Sequence, residues 1–235
     1  MRTFRAVKKP RSTSTIHNGR QLPPHSTGKS DTFPRPAIQP HTVAAALPEL
    51  HALIAATLKK TGVPGAAVAV VHQDRMIDAK GFGRRESGKP ARVDPDTVFQ
   101  LASLSKPLAS TVIAGLVSDK IVTWDDRLVD HSPDFRMHDA SITASLTIRD
   151  MCSHRSGLPE HAGDLLEDMG YGREEILRRL RHIPTHNLFR SQHAYTNFGL
   201  TAGAVAAANA AGQSWETLSS ERLYKKLGMH ATSSR

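Results

Sequence analysis

The sequence has little cysteine and no long apolar run. Cys152 is the only cysteine among 235 residues, which excludes an internal disulfide and any site built from several thiolates. No apolar stretch approaches the roughly 20 residues that a transmembrane helix requires, so we expect no membrane span. Histidine is abundant, but Pro184 separates His182 from His186 and no H-x-x-x-H pattern falls on a convincing helix. We therefore predict neither a metal site nor a cofactor.

Acidic residues are almost absent from the first 40 positions. This segment has eight Lys and Arg residues against Asp31 alone, and its net charge of +7 is most of the +9 of the whole chain. The other 195 residues carry +2, which is ordinary for an enzyme. The segment is rich in Pro, Ser, Thr and Arg and lacks the apolar stretch of a secretory signal. We predict a disordered basic tail over residues 1–42, with an organelle transit peptide as an alternative.

A change in composition near residue 43 marks the start of the folded domain, residues 43–235. Leucine and isoleucine then recur at helical spacing, which predicts a helix that ends near Thr61, before Gly62 and Pro64. Lys60, Thr61 and Gly62 also form a K-T-G triplet. Because a basic last turn and a following glycine are ordinary helix stop signals, we interpret the triplet as a cap.

The rest of the pattern predicts one hairpin followed by helices. Residues 66–72 and 75–83 form two apolar runs separated by Gln73 and Asp74, which is typical of antiparallel strands. Residues 105–119 place their apolar side chains on one face, so a buried helix should start within a residue or two of Ser103. Further helices are predicted at residues 147–153, 173–182, 198–211 and 215–227. The predicted fold class is α+β.

Ser103 and Lys106 have S-x-x-K spacing, which places both side chains on one face of a helix, one turn apart. A lysine there can lower the pKa of its neighbours and can accept or relay the serine proton. Near a helix N-terminus the Ser103 N–H can also donate to a developing oxyanion. The spacing alone is weakly specific, because Ser26 and Lys29 share it within the predicted tail.

A Y-x-N triplet follows Ser103 at a distance of 92 residues, just before another predicted buried helix. In an extended segment, Tyr195 and Asn197 point the same way. A phenol beside an ammonium group has a lowered pKa, which makes Tyr195 a candidate general base. Asn197 is a candidate substrate-binding residue that would hydrogen-bond a substrate amide or orient Lys106. The predicted catalytic set is Ser103, Lys106 and Tyr195.

Four stretches resemble the signature blocks of class C β-lactamases and their relatives, the D-alanyl-D-alanine carboxypeptidases, D-aminopeptidases and β-lactamase-like esterases. The stretches are FQLASLSK (99–106), LTIRDM (146–151), HRSGLP (154–159) and YTNFGL (195–200). The likeness runs from about residue 45 to the end in the family's order. It implies an antiparallel sheet flanked by helices, with an inserted helical region. It also implies an acyl-enzyme formed on Ser103, and the Y-x-N block argues against class A.

The resembled family has a third block, K-[ST]-G or H-x-G, on a strand near its C-terminal end, which supplies the second oxyanion donor. His161, Ala162 and Gly163 fit H-x-G, but they follow Pro159 in a loop between other blocks, so we do not assign them this role. We expect the third block to lie beyond Arg235, which leaves the sheet incomplete and the domain C-terminally truncated relative to the family.

The first functional hypothesis is a serine hydrolase acting on a β-lactam, with a D-amino-acid peptide or a small ester as alternative substrates. The second is an inactive fragment, and the third is a binding module whose basic tail recruits nucleic acid or an acidic surface. We favour a small-molecule substrate and no nucleic-acid partner. The chain as written indicates a cytoplasmic location by default, whereas the resemblance implies a periplasmic or secreted one. The sequence predicts no oligomeric state.

Three further residues have structural interpretations. Cys152, beside Met151 in a helical segment, is expected to pack rather than to act as a nucleophile. His154 and Gly157 lie in a loop block, and Gly157 is expected to end a helix.

Overall fold

The computed structural model describes residues 38–185 and 189–234. Residues 1–37 of the predicted tail, including Ser26 and Lys29, lie outside the described residues. The strands are β1 (Gly65–His72) and β2 (Arg75–Gly83). The helices are α1 (Pro40–Thr61), α2 (Ser105–Ser118), α3 (Leu128–His131), α4 (Ala140–Ser145), α5 (Ile148–Cys152), α6 (Asp164–Asp168), α7 (Arg173–Arg179), α8 (Asn197–Ala210) and α9 (Trp215–Ser219). Short 3₁₀ turns cover Ala102–Leu104 and Leu180–His182.

The predicted hairpin is confirmed. Strands β1 and β2 pair antiparallel, with Gly65 opposite Gly83 and His72 opposite Arg75. Gln73 and Asp74 turn the chain with φ of 48° and 60°. Positive φ at both turn residues is typical of the tight turns whose twist matches that of the strands they join. Within the described ranges the sheet has these two strands, as the incomplete-sheet prediction requires.

Helix α1 lies against the hairpin. It ends as predicted at Gly62, whose φ is 74° and whose N–H donates to the Leu58 carbonyl. His51 on α1 contacts Asp78 Oδ2 on β2 at 2.8 Å through Nε2. Although the helix contains no buried residue, it is long and apolar enough, with a mean hydropathy of 1.2, to meet a length and composition criterion for a bilayer span. A single helix of this kind is weak evidence for a membrane span.

The hydrophobic core lies in the part of the chain that follows the hairpin. Helix α8 is its centre, because its alanines and glycines let neighbouring helices approach closely. A Cβ added at Gly203 would lie 3.1 Å from Met151 Cβ on α5. The fully buried large side chains are Ile113, Leu116, Leu128, Leu146, Ile148, Met151, Leu158, Ile176, Leu180 and Leu218.

Most of the predicted helices match the structure, and the differences show where helical periodicity fails. Helices α5 and α8 begin and end within a residue of their predicted bounds, and α7 continues through its 3₁₀ turn to His182 as predicted. The helix predicted at residues 215–227 is instead α9 followed by a π-helical segment, Ser220–Tyr224. Helices α3, α4 and α6 were not predicted, since four to six residues are too few to show a helical period.

Candidate active site

Ser103 lies in the 3₁₀ turn that leads into α2, so the prediction of a helix beginning beside it is confirmed. The preceding residue, Ala102, has a φ of 47°, an uncommon conformation for a residue with a Cβ. Helix α2 is anchored in the core by Val112, Ile113 and Leu116. Ser103 is thus exposed and lies in a sharp turn at the N-terminal end of α2, a helix whose apolar face is buried.

Lys106 and Tyr195 both contact the Ser103 hydroxyl. Lys106 Nζ donates to Ser103 Oγ at 3.0 Å, and the Tyr195 hydroxyl lies 2.5 Å from the same oxygen. The Lys106 ammonium also lies 4.6 Å from the centroid of the Tyr195 ring. The structure therefore brings the three predicted catalytic side chains together, although Tyr195 is 92 positions from Ser103.

Asn197 is the fourth predicted residue, and its amide is bonded at both ends. Its Oδ1 accepts from Lys106 Nζ at 2.6 Å, and its Nδ2 donates to Asp164 Oδ2 at 3.0 Å. An amide nitrogen carries two N–H groups, so this arrangement leaves Asn197 chemically able to donate to a substrate as well. Orientation of Lys106 is seen directly, while substrate binding by Asn197 stays a prediction.

Backbone hydrogen bonds hold the Y-x-N segment against the loop that follows α5. Ala194 N–H donates to the His154 carbonyl at 2.8 Å, and His161 N–H donates to the Tyr195 carbonyl at 2.8 Å. Between the two site residues, Thr196 points the other way and is fully buried. This alternation is what an extended segment produces, and it turns Tyr195 and Asn197 toward Ser103.

The loop after α5 is fixed in turn by a buried carboxylate. Asp150 and Thr147 form a capping box at the N-terminus of α5. Arg190 pairs with Asp150 at 2.9 Å and its backbone N–H donates to the Arg155 carbonyl. Asp150, in the block LTIRDM, therefore holds Arg190 next to the loop that contains His154 and Arg155.

The electrostatics of the site favour an ionisable phenol. Hydrogen bonding from Lys106, and then from Ser103, lowers the pKa of Tyr195 below its usual value of 10.0. The proximity of the Lys106 ammonium adds to this, and the Asp164 carboxylate opposes it more weakly. A lowered pKa increases the fraction of Tyr195 in the phenolate form at neutral pH, and the phenolate is the form that can accept a proton from a serine hydroxyl.

His154 contacts the candidate site, which its interpretation as a structural loop residue did not predict. Its ring lies 4.7 Å from the Tyr195 ring, and its Nδ1 accepts from the Thr196 N–H at 3.2 Å. Burial, followed by the neighbouring His193 and Lys106, lowers the pKa of His154. The neutral ring is the form that can accept this hydrogen bond. Gly157, with φ of 86°, follows α5 by several residues rather than ending it.

His161 and Asp164 were missed as site residues. His161 Nδ1 lies 2.9 Å from Asp164 Oδ2, and its ring lies 5.7 Å from the Tyr195 ring. Asp164 is 33 positions from Asn197, and no spacing rule connects them. The one signal in the sequence is the H-x-G triplet at residues 161–163, whose spacing indicates the third block rather than a contact with Asn197.

Other candidate chemistry is not supported by the geometry. Cys152 packs against the core, and burial raises its pKa to about 11, which keeps the thiol protonated. Within the described ranges, no three His, Cys, Asp or Glu side chains are grouped so that they could hold a metal ion. The K-T-G triplet at residues 60–62 caps α1, as interpreted from the sequence.

Comparison with known proteins identifies the family of the chain. Residues 50–235 match the family model described as Beta-lactamase. Penicillin-binding protein 4 of Amycolatopsis lactamdurans is 31% identical over 176 residues, covering 72% of this chain and 44% of that protein. Protein flp of Staphylococcus aureus (strain MW2) is 22% identical over 186 residues, covering 78% of this chain and 37% of that protein.

Solved structures show the same fold. The octameric penicillin-binding protein homologue from Pyrococcus abyssi superposes with a TM-score of 0.67 at 20% identity, covering 78% of this chain and 43% of that one. A class C beta-lactamase solved with cefoxitin gives 0.67 at 22% identity, covering 83% and 52%. The chain thus spans about half the length of the relatives it matches. By its match over residues 50–235, the chain belongs to the beta-lactamase family, which includes penicillin-binding proteins.

Proposed function

We propose that this protein is a serine hydrolase that opens a β-lactam amide through an acyl-enzyme on Ser103. The observation that carries the proposal is the Ser103 hydroxyl, which lies 2.5 Å from the Tyr195 phenol and 3.0 Å from the Lys106 ammonium. The relatives described as a penicillin-binding protein and a class C beta-lactamase support the choice of an amide in a lactam ring.

In the proposed acylation, Tyr195 in its phenolate form takes the proton of Ser103 while Oγ attacks the carbonyl carbon. The carbonyl π electrons move to oxygen, and the tetrahedral intermediate collapses with rupture of the C–N bond. The proton on Tyr195 then passes to the departing nitrogen. Lys106 stabilises the phenolate before it takes the proton and after it releases it, since its ammonium lies 4.6 Å from the ring centroid.

Stabilisation of the oxyanion is proposed to begin at Ser103 itself. N–H groups in the first turn of a helix have no intrahelical acceptor and point toward the N-terminal end. The Ser103 N–H is therefore available to the oxygen of the attacked carbonyl, and removal of one such donor typically costs about 100- to 1,000-fold in kcat. Hydrolysis is completed when a water molecule attacks the ester and returns the proton to Ser103.

Covalent labelling tests the proposal directly. Incubation with a fluorescent penicillin or a fluorophosphonate, followed by intact-protein mass spectrometry, should reveal one adduct per chain. The adduct should be absent in Ser103→Ala and retained in Ser105→Ala, a matched control with an exposed side chain two positions away. No adduct in the wild-type protein with either reagent would overturn the proposal.

A substrate panel separates the members of the family. Nitrocefin, p-nitrophenyl butyrate and a D-Ala-D-Ala peptide report β-lactam, ester and peptide cleavage. We expect turnover of nitrocefin to exceed that of the other two. Faster cleavage of the ester or the peptide would reassign the substrate class while leaving the acyl-enzyme on Ser103 in place.

A second candidate is a chain that retains the site residues without turnover. The sheet of the described residues favours it, because two strands covered by one helix whose residues are not buried contribute little stability. Such a chain would give a stoichiometric adduct with penicillin and no multiple turnover of nitrocefin. Repeated turnovers per chain, lost in Ser103→Ala, would exclude this candidate.

A further inference from the structure

The amide of Asn197 can adopt one orientation only. Its oxygen faces Lys106 Nζ at 2.6 Å, and its nitrogen faces Asp164 Oδ2 at 3.0 Å. An ammonium group only donates hydrogen bonds, and an ionised carboxylate only accepts them. Rotation of the amide by half a turn would set N–H against ammonium and oxygen against carboxylate. Each partner therefore excludes the reversed orientation.

Asp164 is itself held rigidly. Its backbone N–H donates to the His161 carbonyl at 3.1 Å, and its Oδ2 lies 2.9 Å from His161 Nδ1. The preceding Gly163 has a φ of 94°, and a Cβ at that position would lie 2.9 Å from Phe198 and 3.0 Å from Ile176. The chain therefore enters α6 in close contact with α7 and α8, which sets the position of the carboxylate relative to Asn197.

We propose that Asp164 is a positioning residue that orients the Asn197 amide and, through it, holds Lys106 Nζ beside Ser103 Oγ. Its carboxylate contacts Asn197 and His161, and the contact with Asn197 links it through Lys106 to Ser103. The orientation of the amide follows from the geometry alone, and its effect on catalysis rests on the proposed function.

Loss of this support affects the position of the lysine rather than its charge. Lys106 Nζ donates to both Ser103 Oγ and Asn197 Oδ1. Without Asp164 the Asn197 amide can rotate, and its rotation would remove the second of these contacts. Displacement of a catalytic group by about 1 Å can cost about 100-fold in rate. The loss should appear in the rate of acylation and not in the concentration of penicillin at half-maximal rate.

The kinetic experiment compares Asp164→Ala, Asp164→Asn and the control Asp168→Ala, an exposed acid on the same helix. Acylation by a fluorescent penicillin should slow by about 100-fold in Asp164→Ala. Asp164→Asn keeps an oxygen acceptor and should recover most of the rate. The double variant Asp164→Ala/Asn197→Ala should be no slower than Asn197→Ala alone, since the two residues act as one unit. Equal rates in Asp164→Ala and Asp168→Ala would overturn the catalytic part of the proposal.

An NMR measurement tests the orientation without any need for activity. The side-chain ¹⁵N–¹H signals of Asn197, assigned by their disappearance in Asn197→Ala, should shift and exchange faster with solvent in Asp164→Ala. They should stay unchanged in Asp168→Ala. If Asp164→Ala does not fold, Asp164→Asn is measured instead. Replacement of the charged acceptor by a neutral one should also change the chemical shifts of the Asn197 side-chain amide. Unchanged Asn197 signals would overturn the proposal, whereas shifted signals in a protein that penicillin does not acylate would overturn only the proposed function.

Discussion

Tyr195 is the residue on which the proposed chemistry depends most. Its hydroxyl contacts the Ser103 oxygen, and its pKa is lowered mainly by hydrogen bonding from Lys106. A base whose pKa lies nearer to neutral pH is a better proton acceptor under physiological conditions. The phenol oxygen, rather than the ring, is the atom that this role requires.

Replacement of that oxygen gives the first prediction. Tyr195→Phe should lower the acylation rate by about 100- to 10,000-fold, the usual contribution of a positioned acid or base. Intact-protein mass spectrometry over time measures the rate, with Tyr171→Phe as control because Tyr171 stacks on Arg179 away from Ser103. An unaltered rate in Tyr195→Phe would remove Tyr195 as the base.

The second prediction concerns pH and His154. The pKa of His154 is lowered in the fold from its usual 6.5, so the unfolded chain binds a proton more readily. Stability contributed by the neutral ring is complete above about pH 6.5 and is lost as the pH falls. His154→Asn should therefore show a weaker decrease in the free energy of unfolding on acidification. Urea denaturation at several pH values measures the difference.

Asparagine suits this comparison because the φ of His154 is 56°, a conformation that asparagine tolerates well. The variant removes the ring without adding backbone strain. Identical pH dependence in the two proteins would show that the fold does not favour the neutral ring of His154.

At the scale of secondary structure, the contact between α5 and α8 positions the site. Helix α8 begins at Asn197, so any shift of this helix moves the residue that contacts Lys106. A Cβ at Gly199, in its first turn, would lie 2.2 Å from the Thr196 hydroxyl oxygen, and Thr196 is fully buried. Glycine is required there for close approach.

The third prediction compares two glycines. Gly199→Ala should destabilise the protein by about 1–3 kcal/mol through overpacking. Gly115→Ala on α2 meets nothing within 4 Å and should stabilise it by about 0.5–1 kcal/mol, the helical advantage of alanine over glycine. Free energies of unfolding in urea provide the measurement. A stable Gly199→Ala protein with full activity would contradict the packing argument.

For the whole molecule, burial divides the chain into two unequal parts. Helix α1 has no buried residue, and the residues of β1 and β2 are at most partly buried. The buried core cluster is formed by residues from Val112 onward. The candidate site residues, from Ser103 to Asn197, lie on the elements that build this core or on loops packed against it. The candidate site therefore depends on the part of the chain that forms the buried core, from Val112 onward.

The fourth prediction follows from this division. Amide hydrogen exchange should be markedly faster in α1 and the hairpin than in α8, because local opening there exposes little buried apolar surface. Mass spectrometry of proteolytic fragments after exchange measures both regions in one experiment. Equal protection in the two regions would indicate that α1 and the hairpin unfold only together with the core.

The sequence predicted what short-range geometry controls. The hairpin follows from two apolar runs around Gln73 and Asp74, and the proximity of Ser103 and Lys106 follows from three-residue spacing at a helix start. The pairing of these residues with Tyr195 and Asn197 came from the order of the resembled blocks. It could not have come from spacing alone, since Ser26 and Lys29 share the same spacing.

Tertiary structure alone decided what surrounds those residues. Asp164, His154 and His161 reach Asn197 and Tyr195 because α5, α6 and α8 pack together and backbone hydrogen bonds join their loops. Such contacts link positions 33 to 42 residues apart and leave no period in the sequence. Local spacing therefore placed Lys106 beside the candidate nucleophile Ser103, while packing of the core determined the amide orientation and the environment of the phenol.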